Sequence, residues 1–449
     1  MRIAFLTFAF YGLILPILVN PFWGIVYFLF ISILRPEQLA WGETFGRLHL
    51  LVALVTIVSW LMNSKSSEVR GLQKMPLPVW LMGGVYLATI LATLTAYDPD
   101  VSAEFSSRIG KALLFGFLVS RLVDRHSRIQ RLIRTITLAA GALTAWGIQQ
   151  FRVGNVRLEG LSSAFSDSNV FALTMAMLVP MVIAAARHDT RPWKLLGFSS
   201  SGFMLMAIVL SHSRGALLAL LSIAVTALIQ SRRLKMALSI LGIAGLLAVL
   251  APATWWQRMD TITVDEGEMD QSAHIRVLLW NVGLRVFAKH PLLGVGLENF
   301  PLAKNTVAEE FYSEFSPPNH ALIFGIGSNY DYVLHNTYLN AMAEGGLVLF
   351  LPFAAFLLSG ICWRLPRHKN RSELPKEAYA SEAIALGIRL GLIGFYVGAF
   401  FLNGNYIELL YWQVILAGVV VAMIRQRAQL SGTQGLHTTD LARIPKSLA

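Results

Sequence analysis

Three short stretches carry side chains suited to chemistry at a phosphorylated substrate. In SHSRG, Ser211 to Gly215, His212 and Arg214 stand at a turn between two apolar runs. Arg276 lies in a later, more polar stretch, and His335-Asn336 opens VLHNTYLNAMAEGGLVLFLPF, which then runs almost without charge. A guanidinium presents a planar fork of five donors that matches a phosphate. An imidazole switches between base and acid near neutral pH, and the positive end of a helix favours its neutral, basic form. Asn336 can fix the imidazole or contact a substrate. Blander uses are open to each. Arg214 can snorkel at a helix end, Arg276 can lie on a solvated face, and a histidine at a helix start can cap or pack.

The elements that must position these residues follow from composition. The 449 residues are 55% hydrophobic and 14% charged, with a mean hydropathy of +0.57, outside the range of soluble globular proteins. Repeated apolar runs match the ~20 residues a helix needs to cross a bilayer, and the shorter polar/apolar alternation of barrel strands is absent. The expectation is an all-α, polytopic membrane bundle. Its single cysteine, Cys362, excludes a disulfide framework and any cysteine-based metal site. No cleavable signal peptide is evident, because the first apolar segment continues through Asn20-Pro21 without a small-residue cleavage site.

The net charge of +11 does not point to nucleic acid, because the basic residues sit in particular connections. Arg121, Arg125, Arg128, Arg131 and Arg134 form one group; Arg187, Arg191 and Lys194 another; Arg364, Arg367, Lys369, Arg371 and Lys376 a third. By the positive-inside rule these connections are cytoplasmic. Spans are then predicted at 48–63, 77–96, 104–122, 128–149, 168–186, 193–210, 214–230, 234–252, 336–362, 382–402 and 405–424. Residues 3–35, interrupted at Asn20-Pro21, make one broken span or a hairpin; one span gives about twelve helices with both termini inside. The chain divides into an N-terminal bundle at 1–252, an external loop at 253–335, C-terminal membrane helices at 336–427 and a polar cytoplasmic tail at 428–449.

The loop 253–335 is too long for a simple connection, and loops of that length are usually functional or disordered. Within it HIRVLLWNVGLRVFAKHP, His274 to Pro291, places apolar residues at 275, 278, 279, 282, 286 and 287, the period of an amphipathic helix over the outer mouth of the bundle. Pro291 and Gly294 stop that helix, and Gly294-Val-Gly296 makes a tight turn. This topology puts SHSRG, Arg276 and His335 on one side. Arginine near hydrocarbon tends to persist where it has an anionic partner or an aqueous cavity. Asp98-Pro99-Asp100 can hold a cation, although Pro and Asp favour the turn after a helix. The remaining histidines show no metal-ligand spacing, and no H-E-x-x-H, Walker A or G-x-S-x-G pattern occurs. No metal site is expected.

The combination of SHSRG, an external R-x-x-x-W followed by HPLLGVGLENF, and HNTYLNAMAEGGL resembles the O-antigen ligase family, within the ligase and polymerase superfamily of envelope glycosyltransferases. The opening PFWGIVYFLFISILRPEQLAWG looks like its exosortase-linked O-glycosylation ligase branch. The resemblance covers residues 20–425. It implies a GT-C-like glycosyltransferase of the bacterial inner membrane with its site facing the periplasm. Such an enzyme moves a glycan from undecaprenyl diphosphate to the lipid A core of lipopolysaccharide, without metal, cofactor or nucleic-acid partner. On this chain Arg214 and Arg276 match arginines that bind the donor diphosphate, and His335 matches the catalytic base; His212 and Asn336 are further candidates for substrate contact. O-antigen polymerases and protein O-oligosaccharyltransferases share the donor and differ in the acceptor. A lipid-linked sugar transporter, using the arginines only to bind, is the rival of another class, and the internally repeated halves common in transporters are not visible.

Overall fold

The computed structural model describes residues 11–35, 48–63, 72, 74–152, 167–231, 234–253, 255–256, 271–310, 333–366 and 375–441. Among them the regular structure is helical: α1 Leu15–Val19, α2 Phe22–Leu34, α3 Leu48–Met62, α4 Leu77–Thr93, α5 Pro99–Leu122, α6 His126–Arg152, α7 Ser168–Arg187, α8 Arg191–Leu210, α9 Arg214–Ser231, α10 Leu234–Leu250, α11 Gln271–Lys289, α12 Phe300–Glu310, α13 Thr337–Ile361, α14 Lys376–Gly398 and α15 Glu408–Leu441. Every one of the eleven spans predicted from 48 onward corresponds to a helix. Six of these, α7, α8, α9, α13, α14 with its 3-10 extension to Phe401, and α15 through Gln429, are long and apolar enough to cross a membrane; α2, α3, α4 and part of α10 are apolar but shorter. The chain is a multi-pass membrane protein. Residues 1–10 lie outside the described set, so the span expected over 3–35 is seen only in part, as α1 and α2 separated at Asn20-Pro21. α15 continues past the boundary expected at 427 to Leu441.

The centre of the bundle is α7, whose apolar residues Phe171 to Ala186 are almost all buried. α14 reaches its backbone closely: a Cβ on Gly387 would stand 2.7 Å from the carbonyl of Pro180, and one on Gly391 would collide with that of Met177. Small residues at such a crossing let two membrane helices pack by van der Waals contact, the principal attraction left between apolar helices in lipid. Local sequence sets the helix starts. Asp98 accepts from the amides of Asp100 and Val101 and Pro99 occupies the first turn, so Asp98-Pro99-Asp100 is the cap of α5. Asp167 caps α7, accepting from Asn169 N.

Helix α13 departs from expectation. One uninterrupted span was predicted over 336–362, but the backbone leaves helical geometry at Gly346, with φ 59° and ψ −162°. The loop 291–296 lies across the break. Leu347 and Val348 donate their N–H groups to the carbonyls of Pro291 at 2.8 Å and Leu292 at 3.0 Å. Val295 and Gly296 donate theirs to the carbonyls of Ala343 at 3.2 Å and Glu344 at 2.9 Å. These are the four groups that an unbroken helix would pair with one another, so the loop replaces the two lost helical hydrogen bonds. Non-helical backbone at membrane depth is tolerated where protein buries it, and Gly294 to Gly296, Gly345 and Gly346 are all buried.

The splice explains two glycines. Gly294 has φ 68°, as the expected tight turn requires, and a Cβ there would strike the carbonyl of Glu344; a Cβ on Gly346 would strike that of Leu292. Gly346→Ala combines a backbone conformation essentially confined to glycine with that collision. The expected loss is on the order of 3 kcal/mol, read as a lower thermal midpoint of the purified protein in detergent. A midpoint equal to wild type would remove the splice from this account.

Candidate functional site

α11 carries Arg276, and its fourth and seventh residues onward, Trp280 and Gly283, share a helix face with it. That face docks on the turn before α13. Trp280 Nε1 donates to the carbonyl of Leu334 at 3.0 Å, and Gly283 leaves room for the Leu334 side chain. Leu279, Val282, Val286, Val295, Phe300 and Leu334 form a small core that joins α11, the splice loop, α12 and the first half of α13. The amphipathic helix expected over His274–Pro291 is therefore present and packed, with Leu279, Val282 and Val286 inward.

His335 occupies the turn itself, in a left-handed conformation with φ 49° that a non-glycine residue adopts only under constraint. The next residue, Asn336, is the N-cap of α13; its Oδ1 accepts from the amides of Tyr338 and Leu339, both at 3.0 Å. The Asn336 side-chain oxygen is thus used structurally. Burial holds the His335 imidazole below the usual histidine pKa, the positive charge of Arg276 adds to that, and Asp167 pulls the other way. Asp167 was not singled out in the sequence. The available signal was a carboxylate at a helix start in the connection that follows α6.

Arg214 and His212 reach the same rim by another route. Arg214 opens α9, and a Cβ on the next residue, Gly215, would stand 3.4 Å from Phe401 Cβ. The chain then passes through Leu402 and Asn403. The carbonyl of Leu402 accepts from Thr337 Oγ1 at 2.8 Å, and Asn403 Oδ1 accepts from the backbone N–H of Asn336 at 3.1 Å. His212, itself left-handed at φ 57°, stands edge-on to Phe151 with ring centroids 6.4 Å apart. The structure therefore places Arg276 close enough for its charge to act on the His335 imidazole and sets Arg214 and His212 at the same end of the bundle, joined through residues 398–404.

The long-loop motif HPLLGVGLENF acts here as an anchor. After the splice, Leu297 N donates to Ser102 Oγ at 3.1 Å, and Glu298 N to the Tyr406 hydroxyl at 3.2 Å. Asn299 pairs through both ends of its carboxamide with the backbone of Asp98. Burial pushes the Glu298 carboxyl up to about 6, with Arg108 opposing. Chemically, the rim offers a guanidinium whose charge acts on a desolvated imidazole, groups able to bind an anion and to accept a proton.

Two comparisons bear on these residues. Residues 200–354, which contain Arg214, Arg276 and His335, match the family model described as O-antigen ligase, so the resemblance read from the three motifs holds over that segment. Residues 1–190 match a family of unknown function. No protein of curated function matches the chain.

Proposed function

We propose that this O-antigen ligase family member transfers a glycan from undecaprenyl diphosphate to the lipid A core of lipopolysaccharide, at the periplasmic face of the inner membrane. The hydroxyl oxygen of the acceptor attacks the anomeric carbon of the donor, and the bond from that carbon to the diphosphate breaks. His335 takes the hydroxyl proton; undecaprenyl diphosphate leaves with the electron pair, its charge met by Arg214 and Arg276. A single displacement inverts the carbon. No metal or cofactor is needed in this scheme, because the leaving group is already charged and the guanidiniums neutralise it.

The observation that carries the reading is the docking of α11 on the His335 turn through the bond from Trp280 to Leu334. It holds the helix that carries Arg276 against the turn, and burial together with the charge of Arg276 favours the neutral imidazole, which supports a base at His335. Preorganised donors aimed at developing charge in a dehydrated cleft are typically the largest catalytic contribution, about 3 to 4 kcal/mol for one donor.

The test is transfer by the purified chain in liposomes, supplied with undecaprenyl diphosphate-linked glycan and lipid A core. Product on the lipid A core is expected. Elongation of the glycan on its carrier instead would make the chain a polymerase, and glycan on an added protein acceptor would make it a protein O-oligosaccharyltransferase. Donor moved between leaflets without any product would make it a transporter.

A further inference from the structure

A line of polar side chains, unused by the chemistry above, runs from the break in α13 to the His335 turn. Glu344 is 2% exposed; Asn340 Nδ2 donates to its Oε2 at 2.8 Å, and the Tyr406 hydroxyl donates to the same oxygen. The backbone amides of Glu298 and Phe300 also reach its carboxyl group. Asn340, fully buried, accepts on Oδ1 from Asn403 Nδ2 at 3.4 Å. Asn403 Oδ1 in turn accepts from the backbone N–H of Asn336 at 3.1 Å, the residue bonded to His335.

The line has a direction. A carboxamide has one donating and one accepting end, whereas a carboxyl group ringed by donors offers acceptors to all of them. Glu344 therefore turns Nδ2 of Asn340 toward itself, which leaves Oδ1 of Asn340 to face Asn403. Asn403 must answer with Nδ2, and its Oδ1 is then the end that meets the Asn336 amide. Reversal would set Asn403 Nδ2 against that N–H, two donors opposed at a buried position.

We propose that Glu344 is a positioning residue: through the fixed polarity of Asn340 and Asn403 it holds the Asn336 amide, and so keeps His335 in its left-handed turn. The inference rests on the role proposed for His335. It gives a use to an ionisable carboxyl group within a membrane helix, a placement that is otherwise costly.

The experiment is a double-mutant cycle between Glu344→Gln and Asn403→Asp, read in two ways. The carboxamide introduced by E344Q cannot turn its NH2 group to the backbone amides of Glu298 and Phe300, so it turns it to Asn340 and the line reverses. E344Q is expected to lower kcat by about 10- to 100-fold, the cost of a small misplacement of a reacting group, with KM for the donor changed less than about threefold, since the arginines are untouched. N403D alone opposes two acceptors across Asn340 and falls similarly. Together the two changes restore alternating donors and acceptors, with the acceptor now at 403, and the double variant is expected within about fivefold of wild-type kcat.

The second readout is the thermal midpoint of the same four proteins, where the double variant should lie above both single ones. A double variant that folds where E344Q does not counts as the same rescue. Wild-type transfer with losses that multiply in the double variant would overturn the relay and leave the proposed function standing. Absent wild-type transfer with rescue of the midpoint would overturn the proposed function and leave the relay. A double variant no better than its worse parent in either readout, or one that does not fold, ends the relay.

Discussion

His335→Ala is expected to lose transfer by 10² to 10⁴ in kcat, the contribution of a positioned general base, while donor binding changes little. The variant removes the proton acceptor and leaves Arg214 and Arg276 in place. Its companion is the pH profile of wild type. Burial and Arg276 hold the imidazole below its ordinary value of 6.5, so His335 is neutral at pH 7, and rate falls as pH drops through that lowered pKa. The acid limb of kcat/KM therefore lies below 6.5 and is missing from His335→Ala. Stability follows the same sign. A histidine with a depressed folded pKa binds its proton more readily when unfolded, so stability is full above about 6.5 and declines as pH falls toward the folded pKa. Full transfer by His335→Ala, or an acid limb that persists unchanged in that variant, would exclude this residue as the base.

Much of this architecture was legible because membrane helices announce themselves by apolar length. Leu48–Met62, Arg191–Leu210 and Arg214–Ser231 fall within a few residues of their predicted spans, and the period of Leu279, Val282 and Val286 gave the buried face of α11. Hydropathy has no means of registering a backbone that leaves the helix without a change in polarity. Gly345-Gly346 sits in an apolar run that continues to Ile361, while the helix is interrupted at Gly346. The available signals were a glycine pair and Glu344, the one charge in that run. Neither identifies its partner, because the groups that satisfy the break come from Pro291 to Gly296, some fifty positions earlier.

The site divides in the same way. Arg214, Arg276 and His335 could be named from residue type and motif, since each is expensive where it stands. Their supports could not. Asn403 and Asn340 are ordinary polar residues until residues 398–404 are folded against the start of α13, and Trp280 looks like core packing until its indole N–H meets Leu334. Asn299 and Asp98 are two hundred residues apart, and the Asn299 carboxamide pairs with backbone atoms of Asp98, which leave no trace in composition.

Arg276→Ala should cost transfer on the order of 10² to 10³-fold in kcat/KM, the range for removing one charged donor from a preorganised site. Arg276→Lys should recover only part of it. Lysine keeps the charge but replaces a planar fork with a point donor, so if two oxygens of the diphosphate are bound together, at least about tenfold remains missing. A second consequence separates this from loss of a merely solvated charge. The guanidinium is one of the causes that hold the His335 pKa down; with it gone, the imidazole gains protons more readily and the acid limb of the pH profile moves upward. Arg276→Lys, still cationic, should leave the limb nearer its wild-type position. The two effects share one geometry in the proposed mechanism, in which Arg276 meets the donor and acts on His335 from the face of α11 that Trp280 fixes to Leu334. Loss of rate without movement of the limb would detach Arg276 from His335, and retention of both would return it to the solvated surface of α11.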